Sequence, residues 1–432
     1  MDVLVPLVIM AVAGSVVLAA IARRLGPGES EWLVRVLIPA FLIRLGCATM
    51  FALIPSTRIF HEDATGYERV GVNLAAGWLG EGPPADFRGW GQNTGYFYFC
   101  ALLYYVSFLC RVVPSYVNAL LGTINVFLVY RLAREFFHIV VARRAALLTA
   151  FIPSMILWSS VALKDTPMTF LIVLSLSSCV RLKQRFSLGS LLGTVLPVLA
   201  IQPLRFYIVY ILSFAILLSL FMERGFQAVA GISKQLAFAV LVALLLVMVG
   251  ASGRVQEGTE VLSLERVSSF RQGLSTTADS GFAQGVDIST PGRALAFLPI
   301  GMSYLLLSPF PWQFGSLRAL FAGPEMVLWW LLIPSLLRGI FYAIKTRFSE
   351  CSPLLVFALI LTLAYSLVHG NVGSGFRQRA QIFVFFFIFA SLGQYRTLCR
   401  RRGIDERLLL RDIRWTPPPE ADAPASPHAA RA

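Results

Sequence analysis

The run His61-Glu62-Asp63-Ala64-Thr65-Gly66-Tyr67 lies in a polar stretch from Arg58 to Gly95. The chain is strongly apolar on both sides, from about Trp32 to Ile54 before it and over 95–112 after it. Ionisable groups just outside a membrane span cost little, and lipid head-group chemistry takes place there. The stretch therefore reads as one wall of a site at a membrane surface. The competing reading is a solvated connecting loop.

Composition sets the class. Hydrophobic residues make up 57% and charged residues 14%, with a mean hydropathy of +0.71. A soluble chain is about a quarter charged. Many runs reach roughly eighteen apolar residues, enough to span a bilayer as a helix. The chain reads as an all-α, polytopic integral membrane protein, and no stretch is polar enough for a large water-soluble domain. The net charge of +14 does not point to nucleic acid, because most of it falls in short loops beside apolar runs. None of the six cysteines forms a CxxC pair, so neither a zinc site nor a disulfide framework is indicated.

Residues 3–22 end at Arg23-Arg24 and read as a retained span, since a basic n-region and a small-residue cleavage site are both lacking. Arg23, Arg24 and Arg35 place that side in the cytoplasm and the polar stretch outside. Arg44, in the second span, needs an ion-pair partner or a lipid phosphate. The segment 95–112 reads as re-entrant or interfacial, because the basic loop Arg131 to Arg144 demands an odd number of crossings. Further spans fall at about 114–130, 145–162, 166–182, 188–203, 206–222, 230–250, 324–343, 353–368 and 381–395, while 294–308 does not cross. The total is about eleven transmembrane helices with one or two re-entrant or interfacial helices. Residues 1–398 form the membrane domain, with external loops 56–94 and 251–293. Residues 399–432 form a basic cytoplasmic tail whose Pro/Ala-rich end is disordered. Sorting by positive charge alone puts Asp63, Lys164-Asp165, Arg205, 251–293 and Arg377/Arg379 on one external face.

The segment Asp63 to Gly77 (DATGYERVGVNLAAG) resembles the first external loop of the GT-C membrane glycosyltransferases. Relatives in that superfamily are the protein O-mannosyltransferases and the aminoarabinose transferases that modify lipid A. Also similar are Val117 to Gly122 (VNALLG), Tyr130 to Arg134 (YRLAR), Pro153, and Trp158 to Asp165 (WSSVALKD). Asn371 to Arg379 (NVGSGFRQR) looks like a late external motif of bacterial members. The resemblance covers the first ~180 residues best. The departures are an extra N-terminal span and no large external C-terminal domain. It implies a GT-C-like fold and transfer of a sugar from a polyprenyl-phosphate carrier to a saccharide, lipid or protein acceptor. The setting it implies is cell-envelope polysaccharide or glycoconjugate synthesis, at the external face of a bacterial inner membrane.

Such chemistry needs a carboxylate to take the acceptor's proton and cations to meet the charge growing on the leaving phosphate. Asp63 is the candidate base, Glu62 the alternate, and Asp165 a second acid. Lys164, Arg205, Arg377 and Arg379 are candidate phosphate ligands, with Arg58 and Tyr67 as further binding candidates. Each has a plainer reading. Asp63 and Lys164-Asp165-Thr166-Pro167 suit helix starts, and Arg205 suits snorkelling to the head groups. Arg377 and Arg379, two apart, cannot share a helix face, so one of them is expected at the phosphate. His61 and His369 are candidate metal ligands with incidental loop histidines as the alternative. Without an HxH or DxD cluster, a divalent metal is possible but not favoured, and no cofactor is indicated. Tyr67, Trp90 and Trp312 suit interface anchoring.

Two other functions use the same residues. A polysaccharide polymerase or ligase acting on lipid-linked oligosaccharide would hold the diphosphate with external arginines. A lipid-linked saccharide transporter should show repeats and mid-membrane polar groups, whereas here, apart from Arg44, the spans are poor in charge. The second loop, 251–293, is expected to act as a flap over the site.

Overall fold

The computed structural model describes residues 3–54, 62–82, 94–184, 186–221, 263–314 and 317–404. Helices α1 (Leu4–Ala22) and α2 (Pro27–Leu53) pack against each other. Then come α3 (Glu62–Leu79), α4 (Thr94–Val106), α5 (Val113–Phe136), α6 (Ile139–Phe151), α7 (Pro153–Ser159), α8 (Asp165–Gln184), α9 (Leu188–Ile201) and α10 (Phe206–Phe221). The later elements are α11 (Leu264–Thr277), α12 (Pro291–Leu307), α13 (Leu317–Val368, kinked at Arg347), α14 (Val372–Gln378) and α15 (Ala380–Arg401). Gly281 and Asn371 form an isolated antiparallel bridge.

This is a multi-pass helical membrane protein. Six described helices are long and apolar enough to cross a membrane, or seven if α6 and α7 form one bent span. One of these, α13, holds two of the eleven expected spans, 324–343 and 353–368, on either side of its kink at Arg347. The segment 230–250 lies outside the described residues, and α9 and α10 are shorter apolar helices. Helix α9 runs continuously through Pro197 and ends at Ile201, where the Gln202-Pro203 turn follows, and α10 closely matches the expected 206–222. Helix α4, at 13 residues, is too short to cross, as expected of a re-entrant or interfacial segment.

Helix α15 runs through the centre. Its apolar residues from Ile382 to Phe389 are buried on every side, the pattern of a helix surrounded by others. It meets α13 closely at two glycines. A Cβ on Gly339 would lie 1.8 Å from the Phe389 carbonyl, and one on Gly393 would lie 1.9 Å from that of Ser335. Small residues permit this approach between membrane helices.

The break between α6 and α7 explains Arg44. Pro153 disfavours helix at Ile152, and the two helices bend by 57°. The carbonyls freed at Thr149 and Ala150 accept from the Arg44 guanidinium at 3.1 and 2.9 Å, while its Nε donates to Ser159 Oγ at 2.9 Å. A buried carbonyl left unpaired costs about 1–3 kcal/mol. The expected acidic partner or lipid phosphate is thus replaced by backbone oxygens.

Of the second loop, the described part is folded. The Arg271 guanidinium is buried and donates to the carbonyls of Phe282, Ala283 and Val286. Phe282 stacks on Tyr304 of α12 at 4.0 Å between ring centroids. Main-chain bonds Phe282 N to Gly370 O (2.9 Å) and Val372 N to Ser280 O (3.0 Å) fasten this region to the start of α14. The expected flap therefore has a docked base, and 251–262 lies outside the described residues.

Candidate active site

Asp63 stands in the first turn of α3. Its side chain is 56% exposed, and Arg377 NH1 lies 2.6 Å from its Oδ2. Arg377 is on α14, a short helix. Asn371 starts it, its side-chain oxygen accepting from Gly373 N at 2.7 Å and Ser374 N at 3.4 Å. That cap offsets the poor helix propensity of Gly373 and Gly375.

The same guanidinium reaches a second acid. Arg377 Nε lies 3.1 Å from Asp165 Oδ2, and Arg205 NH2 donates to Asp165 Oδ1 at 2.9 Å. The Asp165 side chain is 3% exposed and that of Arg205 5%. Asp165 opens α8. Asn118 of α5 fixes the approach to it, its Nδ2 donating to the carbonyls of Val161 (2.7 Å) and Leu163 (2.9 Å). Arg205 follows the turn that ends α9 and also donates to Gln378 Oε1 at 2.7 Å, with the Tyr365 hydroxyl at 3.4 Å. One chain of ion pairs and hydrogen bonds, Asp63–Arg377–Asp165–Arg205–Gln378, thus joins four separate segments, the Arg377–Asp165 link being an ion pair without a hydrogen bond.

Lys164 is buried beside this chain, and burial, then the charge of Arg205, push its ammonium down to about 7. His369 is buried beside Tyr365, ring centroids 4.9 Å apart. Burial, followed by Arg205 and Arg377, lowers it to about 3, so it is a neutral imidazole at ordinary pH. Tyr67, one turn after Asp63, is buried against Tyr96 and Phe97, with centroids at 4.8 and 5.4 Å.

The sequence candidates therefore divide. Asp63, Asp165, Arg205 and Arg377 meet directly, and Lys164 and Tyr67 lie against them. Arg379 goes elsewhere, because residues two apart on a helix diverge by about 200°. Its guanidinium lies between the rings of Phe376 (4.0 Å) and Phe383 (4.7 Å). It donates to Ser308 O at 2.7 Å and lies 3.7 Å from Glu325. Glu62 opens α3, and only its backbone is described. Arg58, His61 and Trp90 lie outside the described residues. Trp312 is 76% exposed and stacks on Phe310, as an interface anchor would.

Sequence reasoning missed three participants. Gln378 sits between the two arginines of the late motif and bonds Arg205. Tyr365 bridges Arg205 and Gln381. Glu325 is a buried acid within an apolar helix, accepting from Ser154 N (2.6 Å) and Ser154 Oγ (2.7 Å) as well as facing Arg379. An ionisable residue inside a span is itself a signal, and Glu325 corrects the expectation that Arg44 alone breaks the apolar interior. No group of three or more His, Cys, Asp or Glu side chains converges as a metal site among the described residues.

No family model matches the chain, and no curated protein does. A solved structure is similar in outline: the archaeal oligosaccharyltransferase AglB from Archaeoglobus fulgidus, in complex with an inhibitory peptide and a dolichol-phosphate. The identity is 17% and the TM-score 0.49, with 87% of this chain and 52% of that one covered. This chain thus spans about half the length of that protein. What the site does is taken from its own residues.

Proposed function

We propose that the chain is a GT-C-type glycosyltransferase that moves a sugar from a polyprenyl-phosphate carrier to an acceptor at the external membrane face. The observation that carries this is Arg377, which bridges a half-exposed carboxylate, Asp63, and a buried one, Asp165. The arrangement puts a proton acceptor next to a fixed cation. In the transfer, an acceptor oxygen or nitrogen bonds to the anomeric carbon and its proton goes to Asp63. The bond from that carbon to the phosphate oxygen breaks, and the electron pair leaves on the polyprenyl phosphate. Arg377 meets the phosphate charge, a role suited to a rigid guanidinium fork, and Arg205, as enclosed as Asp165, adds its positive charge from behind. Asp165 is too enclosed to reach an acceptor, and it holds both arginines in position.

Arg377→Ala should weaken binding of farnesyl phosphate by about 10- to 100-fold, the size of a lost charged hydrogen bond. Arg377→Lys should restore part of it, since the fork geometry is gone. Titration of the detergent-solubilised protein measures this, and unchanged affinity in Arg377→Ala removes Arg377 from the phosphate site.

Lys164 adds a pH dependence. Below about 7 it is charged and attracts an anion, and above that it is neutral. Affinity for a polyprenyl phosphodiester, whose charge is constant over this range, should fall as pH rises from 6 to 8.5. Lys164→Gln should flatten the profile, and a wild-type profile that is flat or rises contradicts the assignment.

The proposal also requires the cluster to face outward. A cysteine at position 63 should react with a membrane-impermeant maleimide in intact cells. Reaction only after permeabilisation places the site on the wrong side.

A further inference from the structure

Beside Asp63 lies a cavity of about 750 Å³, within the usual range for small-molecule sites. One wall is apolar and comes from the adjoining ends of α1 and α2, including Val5, Phe51 and Ala52. The other is polar and includes Thr65, Glu68, Tyr104 and Arg111. Residues 160–162, just before Lys164-Asp165, also line it. Helix α3 separates this cavity from the arginines. At about 100° per residue, Asp63 and Tyr67 share the face turned to Arg377 and Arg205, while Ala64, Thr65 and Glu68 turn to the cavity. The exposed carboxylate of Asp63 thus stands at the boundary between the two.

We infer that this cavity is the acceptor subsite and that it seats a lipid-anchored saccharide. The inference rests on the proposed role of Asp63 and adds the class of acceptor. Three observations carry it. Tyr104 lines the cavity, and its buried hydroxyl has no hydrogen-bond partner, a cost that a ligand hydroxyl brought against it would remove. Arg111 is paired with Glu68 at 3.3 Å, so among the described residues the polar wall carries no surplus cation and suits a neutral polyol rather than a phosphate. The apolar wall continues into the exposed side chains of α1, among them Val5, Val8 and Val12, which give a hydrocarbon chain a path along the helix. The rim turn is strained as ligand clamps often are: Phe108 and Leu109 have φ of 52° and 63°, uncommon for residues with side chains. Phe108 is 85% exposed there, an aromatic placed for the membrane interface. Bound in this way, an acceptor hydroxyl gives its proton to Asp63 as its oxygen bonds to the anomeric carbon, and polyprenyl phosphate departs with the electron pair.

Photolabelling tests this without turnover. The full chain in nanodiscs is irradiated with a diacylglycerol-linked disaccharide carrying a diazirine in one acyl chain. A phosphatidylcholine with the same acyl diazirine is the control. The glycolipid should label residues 3–6, 48–52 and 107–112 well above the control. Tyr104→Phe and Glu68→Gln should each lower that labelling by about 3- to 10-fold, the range of a lost hydrogen bond. Farnesyl phosphate should not displace it. Equal labelling by phosphatidylcholine would make the cavity a lipid-facing surface, and displacement by farnesyl phosphate would make it the seat of the donor chain. Either result overturns the inference. Normal transfer by Asp63→Asn overturns the catalytic reading alone, and lost selectivity in labelling overturns the acceptor seat alone.

Discussion

Asp63→Asn should lower glycosyl transfer by about 10²- to 10⁴-fold, the usual contribution of a general base, while donor binding and thermal stability stay near wild type. Asparagine keeps the shape and can still accept a hydrogen bond from Arg377, now 2.6 Å from Asp63 Oδ2, but it cannot take a proton. Stability should change little, because the side chain is 56% exposed and exposed ion pairs contribute about 0–1 kcal/mol. Single-turnover transfer, farnesyl phosphate titration and thermal unfolding of one preparation separate these quantities. If transfer stays near normal, Asp63 only pairs with Arg377 at a helix start. If every carboxylate is dispensable while Arg205 and Arg377 are essential, a polymerase or ligase acting on lipid-linked oligosaccharide takes the place of this mechanism.

The same substitution at Asp165 should have a different effect. Asp165 is 3% exposed and holds Arg205 at 2.9 Å and Arg377 at 3.1 Å. Removing one partner of a buried ion pair costs about 3–5 kcal/mol, because the remaining charge is left without compensation. Asp165→Asn should therefore lower the unfolding temperature in detergent clearly and weaken donor binding through misplaced arginines. Replacing both partners by apolar residues is often neutral, so Asp165→Leu with Arg205→Met should recover much of the stability but not donor binding. A single Asp165→Asn variant as stable as wild type would mean that water reaches and screens this pair.

The contrast between the two aspartates was not legible in the sequence. Both appeared as acids at outer helix ends, and charge sorting placed them on one face with Arg205 and Arg377. Direct contact between Asp63 and Arg377, 314 positions apart, depends on packing that no local pattern encodes. The division between Arg377 and Arg379 was partly legible, because residues two apart diverge on a helix. The helix itself was hidden by Gly373 and Gly375, and only its Asn371 cap gave a signal. Arg44 announced that it needed a partner, but the partner is a pair of carbonyls on α6, four helices later, released by Pro153. Glu325 was lost inside an apolar run whose average hides one acid. Helices α9 and α10 were legible, matching the expected 188–203 and 206–222 to within two residues, because the Gln202-Pro203 turn separates two apolar runs.

Arg377, held between Asp63 and Asp165, should receive the lipid phosphate. A cryo-EM structure of the full chain with farnesyl phosphate tests it directly. The phosphate should lie within hydrogen-bond distance of Arg377, with Arg205 beside it and the Asp63 carboxylate turned to the cavity lined by Thr65 and Glu68. A phosphate bound at Arg379, or on the opposite membrane face, with the Asp63–Arg377 pair undisturbed, would contradict it.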